Sequence, residues 1–279
     1  MSWMIVSDSS CDIRTLENPT EGVSFATVPL KIRVGEREFV DNSMLDTHAM
    51  MDAMHNYNGA STTACPSPEE WAEKFLMADN VLAITISSNL SGSYNSAMVA
   101  RDMVLEAHPD KNIFVLNSLS TAGEMALAIW KANELISQGL DFESLVAQWE
   151  NWYQDRKILF SLANFDNLVK NGRMSKMVGF VAGMMNMRAV GQGSDDGRLD
   201  VLHKCRGEKR MLALLLEEMD HHNYNGEGPV VISHCENEDS ALILKGGIEK
   251  KWPGAKVTIL PCSGLTSFYA ETGGIIIGY

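Results

Sequence analysis

The sequence predicts an α/β protein in two domains, one over residues 1–156 built on a parallel sheet and one over 157–279 built on a mixed sheet. Three observations carry this. Up to residue 155, short β-branched apolar runs alternate with helical segments across short connections, the pattern of a parallel α/β layer. Beyond it, a hairpin signature is followed by strands separated by helices, which points to a mixed sheet with helices on one side. The strands of the first half also end in polar turns after Ser7, Ser87 and Leu116. In open parallel sheets, ligands sit beyond those carboxyl ends.

Taken in order, Trp3–Ser7 is a short apolar strand. Val28–Val34 and Arg37–Asp41 flank Gly35-Glu36, a Gly-first pair suited to a type II′ hairpin. Leu45–His55 has helical spacing, with Leu45, Met50, Met51 and Met54 near one face, and Gly59–Pro66 reads as a polar loop. Ser67-Pro68-Glu69-Glu70 opens a helix with a cap, a proline in the first turn and acids near the positive end. Val81–Ile86 is a buried strand and Tyr94–Glu106 the helix after it. Ile113–Leu116 is a strand, Thr121–Gln138 a helix closed by Gly139, and Asp141 caps a helix to Tyr153.

In the second half, Ile158–Ala163 is a strand, and Phe165–Asn171 a short helix stopped by Gly172. Ser175–Met185 is apolar and Met-rich, with Ser175 as a cap. Ala189–Gln192 and Leu199–Lys204 flank a hairpin turn at Gly193–Gly197, and Glu208–His221 is an amphipathic helix. Val230–His234, Val257–Leu260 and Ile275–Gly278 are strands, with helices near Ser240–Lys251 and Ser263–Glu271.

The segment richest in chemistry is Val81–Ala97. A strand runs into Ser87-Ser88-Asn89-Leu90-Ser91-Gly92-Ser93 and then a helix. Such a turn points free backbone N–H groups and a partial positive charge at one spot, which suits a phosphate or carboxylate. The alternative is an ordinary capped connection.

Composition narrows the function classes. Lys and Arg number 23 against 36 Asp and Glu, a formal net charge of -13, which argues against a nucleic-acid surface or broad attraction to anionic membranes. The odd count of 5 cysteines, none paired as C-x-x-C, suggests reduced thiols and a cytoplasmic location. No basic n-region with an apolar core opens the chain, so no signal peptide is expected, and no apolar run is long enough to span a membrane. No H-E-x-x-H, paired C-x-x-C or calcium loop is present, so neither metal nor cofactor is expected. The 17 methionines suit an irregular apolar cavity or ordinary core filling. Cys11, between Asp8 and Asp12, is a nucleophile candidate with no His nearby in sequence, and His234 reads as a satisfied core histidine ahead of a ligand or base.

Several segments in order resemble the DegV family of bacterial fatty-acid-binding proteins. They are Ile5-Val6-Ser7-Asp8-Ser9-Ser10-Cys11-Asp12, Val28-Pro29-Leu30, Phe39-Val40-Asp41, Thr62-Thr63-Ala64-Cys65-Pro66-Ser67, Ser87–Ala97 with its L-S-G core, and Asn171-Gly172-Arg173-Met174-Ser175. The resemblance covers nearly the whole chain. It implies a three-layer α/β domain followed by a two-layer mixed-sheet domain, with a long-chain fatty acid such as palmitate buried between them. It also implies that Thr63 and Ser91 hold the carboxylate. Gly92 and Ser93 would add backbone N–H or hydroxyl support.

Some members of that family carry the acid for a separate ATP-dependent fatty acid kinase subunit, and Arg173 matches a position facing that partner. A solvated Arg near a helix end is the other reading. Arg188, Arg206 and Arg210 would extend the same surface. The sequence departs from the family where Ala64 and Cys65 follow Thr63. It departs again where Glu271 stands at a position that many members fill with His, beside the headgroup. The resemblance implies a monomer without catalysis of its own. The rival reading is a hydrolase or phosphotransfer enzyme acting on a small acyl or phosphate ligand at the same turns, with Glu271 or His234 as base.

Overall fold

The structure is a computed structural model describing residues 2–174 and 186–279. The expected apolar stretch Ser175–Met185, with its Ser175 cap, lies outside the described residues.

The chain begins with β1 (Trp3–Asp8), a single 3-10 turn at Ser9–Cys11, and β2 (Val23–Val28). There follow β3 (Lys31–Val34), β4 (Arg37–Val40), α1 (Thr47–His55), β5 (Thr62–Ala64), α2 (Pro68–Phe75), β6 (Asn80–Thr85) and α3 (Ser93–Ala107). Then come β7 (Asn112–Asn117), α4 (Gly123–Ser137), α5 (Phe142–Tyr153), β8 (Ile158–Leu162), α6 (Asp166–Lys170), β9 (Met187–Gly193) and β10 (Leu199–Arg206). The last elements are α7 (Glu208–His221), β11 (Pro229–His234), α8 (Glu238–Lys251), β12 (Lys256–Pro261), α9 (Gly264–Ala270) and β13 (Ile275–Gly278).

β2, β1, β6 and β7 form a four-stranded sheet in that order, all parallel. Alternation along the strands buries both faces. Ile5, Leu82 and Ile84 pack on Met125, Ile129 and Trp149 of α4 and α5, and Met4, Val6, Val81 and Ala83 pack on Trp71, Phe75, Ala97 and Ala100 of α2 and α3. This is the three-layer arrangement expected. The six-stranded mixed sheet runs β10-β9-β8-β13-β11-β12. Val190, Val230, Ile232, Ile275 and Ile277 bury one face against α7 and α8, whereas α9 packs on the other face, so the one-sided expectation holds for α7 and α8 and not for α9. The opposite face, with Ile158, Phe160, Leu162 and Ile276, meets Ile32, Met50, Met51 and Phe268 from β3, α1 and α9.

Local chemistry explains the element ends. Ser67 and Glu70 form a reciprocal capping box on α2, and Asp141 accepts from Ser144 N to start α5. Gly35 has φ +59 in the β3–β4 turn, while Glu36 stays at negative φ, consistent with the type II′ expectation. α4 begins at Gly123, two residues later than expected. Ala122 sits at φ 60, and a Cβ on Gly123 would lie 2.2 Å from Val231 Cγ1, so glycine admits the close approach of β11.

Two strands depart from the sequence expectation. Val23–Val28 is a separate parallel edge strand, because Pro29 divides it from the hairpin that follows. Thr62–Ala64, read as loop, pairs antiparallel with β3, so β4-β3-β5 is a third, small sheet. Two threonines and an alanine carry no periodicity by which such a strand could be recognised.

Candidate functional site

A cavity of about 300 Å³ lies between the parallel sheet and the mixed sheet. Its wall is mostly apolar. Leu30, Ile86 and Leu90 come from the first half of the chain, and Ile158, Phe160, Leu162, Leu168, Leu199, Leu265 and Ile276 from the second. The polar part of the wall comprises Thr63, Ser91, Gly92, Thr121, Arg173, Thr266 and Tyr269. The first-half residues stand on or just past the carboxyl ends of strands, where the topology of an open parallel sheet leaves space.

Thr63 is held by β5 through its pairing with Ile32, and its Oγ1 lies 2.9 Å from the Tyr269 hydroxyl of α9. The facing loop carries Ser91 and Gly92. A Cβ on Gly92 would stand 3.2 Å from Cys65 Sγ, so the loops holding Thr63 and Ser91 are in contact. Ser91 Oγ accepts from Ser93 N at 3.3 Å, which leaves its hydroxyl proton to donate. Among the described residues, the Gly92 N–H has no backbone acceptor.

Behind this loop sits Asp8, fully buried. It accepts from Ser10 N and Oγ, from Ile86 N at 2.9 Å and from Ser93 Oγ at 2.6 Å. Burial pushes its pKa up, and those donors pull back against it. The carboxylate thereby ties the end of β1 to the end of β6 and the start of α3. Ser93 is a corrected expectation in one respect: its hydroxyl is spent on Asp8 and does not reach the cavity wall.

Arg173 lines the cavity, half-buried. Gly172, at φ +74, turns the chain after α6 so that Arg173 Nε donates to Leu90 O at 3.0 Å, and its guanidinium also donates to Asn171 O. Asn171 Nδ2 in turn donates to Ser61 O at 3.1 Å. The α6 end is therefore stitched to both polar loops.

Glu271 is placed differently from the expectation. It does not line the cavity. The left-handed backbone at φ 53 directs the chain away after α9, and its Oε2 accepts from Asn164 Nδ2 at 2.7 Å, while burial raises its pKa. Tyr269, two residues earlier, occupies the place beside Thr63, and burial raises its pKa too. His234 also lies off the cavity and accepts from Asn237 N at 3.3 Å. Neither base named for the enzyme reading therefore stands at Ser91. Burial pushes the Cys11 thiol up to about 11, which makes it a core residue without thiolate character.

Sequence reasoning missed Tyr269, Thr266 and Thr121 as wall residues. The first two are three apart on α9, otherwise buried and largely apolar, and that polar pair on one helix face was the available signal. Among the described residues, no cluster of His, Cys, Asp and Glu could hold a metal ion, and no helix is long and apolar enough to cross a membrane.

Comparison with known proteins agrees with this architecture. Residues 2–279 match the model of the family described as uncharacterised protein, DegV family. A DegV domain-containing protein of Streptococcus gordonii is 44% identical over 279 residues, covering 100% of this chain and 99% of the relative. Among solved structures, the Streptococcus pneumoniae Fatty Acid Kinase (Fak) B3 protein loaded with linoleic acid matches with a TM-score of 0.97 and 44% identity, over 100% of this chain and 99% of that one. A DegV family protein from Eubacterium eligens loaded with heptadecanoic acid matches with a TM-score of 0.94 and 36% identity, over 99% of each chain. The chain belongs to the DegV family.

Proposed function

We propose that this protein is a cytoplasmic, monomeric carrier that buries one long-chain fatty acid between its two halves. Residues 1–156 supply the hydroxyl loops and residues 157–279 the cover over the acyl chain. The carboxylate is held by Thr63 Oγ1, Ser91 Oγ and the Gly92 N–H, with the Tyr269 hydroxyl joining from α9. Ser93 acts one layer back, through Asp8. Arg173 supplies a positive charge on the wall.

The observation that carries this reading is the pairing of a long apolar wall with a few neutral donors on touching loops. Each buried methylene contributes ~0.8 kcal/mol, so a tail of about fifteen supplies a gross gain on the order of 10 kcal/mol. The donors then orient the acid and need not bind it alone. The acid-loaded relatives from Streptococcus pneumoniae and Eubacterium eligens support the same ligand class. The likeness to a fatty acid kinase B3 protein supports a role in presenting the acid to an ATP-dependent kinase subunit that phosphorylates the carboxylate.

Native mass spectrometry of protein purified from bacterial cells tests the reading. The expected result is an added mass matching a long-chain fatty acid. Protein that is consistently free of acid and also fails to take up palmitate would overturn it. A purified kinase subunit with ATP should convert the bound acid to its acyl phosphate only when this chain is present.

A further inference from the structure

The apolar wall has a direction. Ile158, Phe160 and Leu162 alternate on one face of β8 and all line the cavity, so the slot follows that strand for about 13 Å. The Leu162 end leads into α6, and just past that helix Asn171 and Arg173 reach Ser61 and Leu90 beside the hydroxyl loops. Ile158 therefore stands at the opposite end from the polar group.

Ile158 also lines a second, polar cleft of about 410 Å³, built around Ser120, Glu124, Tyr153 and Arg156. Glu124 is 1% exposed and accepts from the Tyr153 hydroxyl, and its other oxygen has no partner among the described residues. One isoleucine thus divides an apolar slot from a cleft whose wall is charged.

The neighbouring strand makes room for it. A Cβ on Gly193 would lie 2.6 Å from Ile158 Cγ2, and one on Gly191 would lie 2.4 Å from Phe160 Cζ. Gly191 and Gly193 form a strip on β9 over which the two side chains lean, keeping the slot open at this end. Gly191 is also pinned by Asp200 O, 2.3 Å from such a Cβ, whereas Gly193 meets the Ile158 Cγ2 methyl and no backbone atom.

Resting on the proposed carrier reading, we infer that Ile158, seated on Gly193, is the tail stop that sets which chain lengths this protein accepts. The stop is chemical as well as steric. Carbons that pass Ile158 enter a cleft lined by Arg156, Lys157 and Asp195, where an apolar tail gains no burial and displaces the solvation of charged groups. Up to the stop, each added methylene should raise affinity about fourfold, the equivalent of ~0.8 kcal/mol. Past it, the increment vanishes or reverses.

The test is a series of saturated acids of increasing length titrated into delipidated wild type, Ile158→Ala and Gly193→Ala. Ile158→Ala should move the break in the affinity series to longer acids. Gly193→Ala adds a methyl group under Ile158 and should move it to shorter ones. The two variants are read separately, after thermal melts show that each folds, so loss of one leaves the other to decide. A break at the same length as wild type in the folded variant or variants overturns the tail stop and leaves the carrier reading intact. Wild type that binds no acid of any length overturns the carrier reading itself.

Discussion

Replacing Tyr269 by Phe and Thr63 by Val, singly and together, separates the headgroup clamp from the tail slot. In the free protein the two hydroxyls share one hydrogen bond of 2.9 Å across a half-buried surface, and each lines the cavity. A hydrogen bond to a charged acceptor contributes about 1.5–3 kcal/mol, while the neutral hydroxyl pair that must rearrange is worth about 1 kcal/mol. The net loss per hydroxyl removed is therefore about 1 kcal/mol, or roughly a fivefold weaker palmitate complex. The double variant should lose more than the product of the single effects, because in each single variant the remaining hydroxyl, already freed from its partner, meets the acid without first breaking that bond. The assay is calorimetric titration of delipidated protein with palmitate and, in parallel, with methyl palmitate. The ester keeps the tail and lacks the charge, so its affinity should change by less than twofold, within about 0.4 kcal/mol. Equal losses for acid and ester would refute the clamp, since they would show that the substitutions damage the slot as a whole. Unchanged palmitate affinity in both single variants would remove these two hydroxyls from the headgroup site.

Two further outcomes follow from the buried acids. Burial holds the Glu124 carboxyl proton up to about 7, against an ordinary 4.5, with the Tyr153 hydroxyl donating to it. The folded state therefore keeps a proton that the unfolded chain releases. The corresponding stability, roughly 3 kcal/mol, is fully present below about pH 4.5 and is lost as pH rises through about 7. Urea melts across that window should show a shallower decline in Glu124→Gln than in wild type, and identical pH slopes would contradict the assignment. Ser93→Ala removes a 2.6 Å donor from the buried Asp8 and should cost about 1–3 kcal/mol of stability, with a smaller effect on palmitate affinity than Ser91→Ala. A variant that melts with wild type but binds palmitate as weakly as Ser91→Ala would place Ser93 in the clamp after all.

Much of this molecule was written locally. The strand–helix alternation, the Ser67 and Asp141 caps, the Gly35 turn and the polar turn at Ser87–Ser93 depend on residues a few positions apart, and each forms where its own chemistry directs. The Ser87–Ser93 turn was legible as an anion cradle for the same reason, whereas Thr63 was singled out only by its resemblance to a family motif. Partnerships across the chain were decided only by the tertiary structure. Thr63 meets Tyr269 across 206 positions, Ser93 turns to Asp8 across 85, and Arg173 reaches Leu90 across 83. Periodicity tells which face of a helix is apolar, yet α9 had to dock against β3 and β5 before Tyr269, and not Glu271, came to stand beside Thr63. The seating of Ile158 and Phe160 is likewise a packing result: a Cβ at Gly193 or Gly191 on the neighbouring strand would meet them at 2.6 and 2.4 Å.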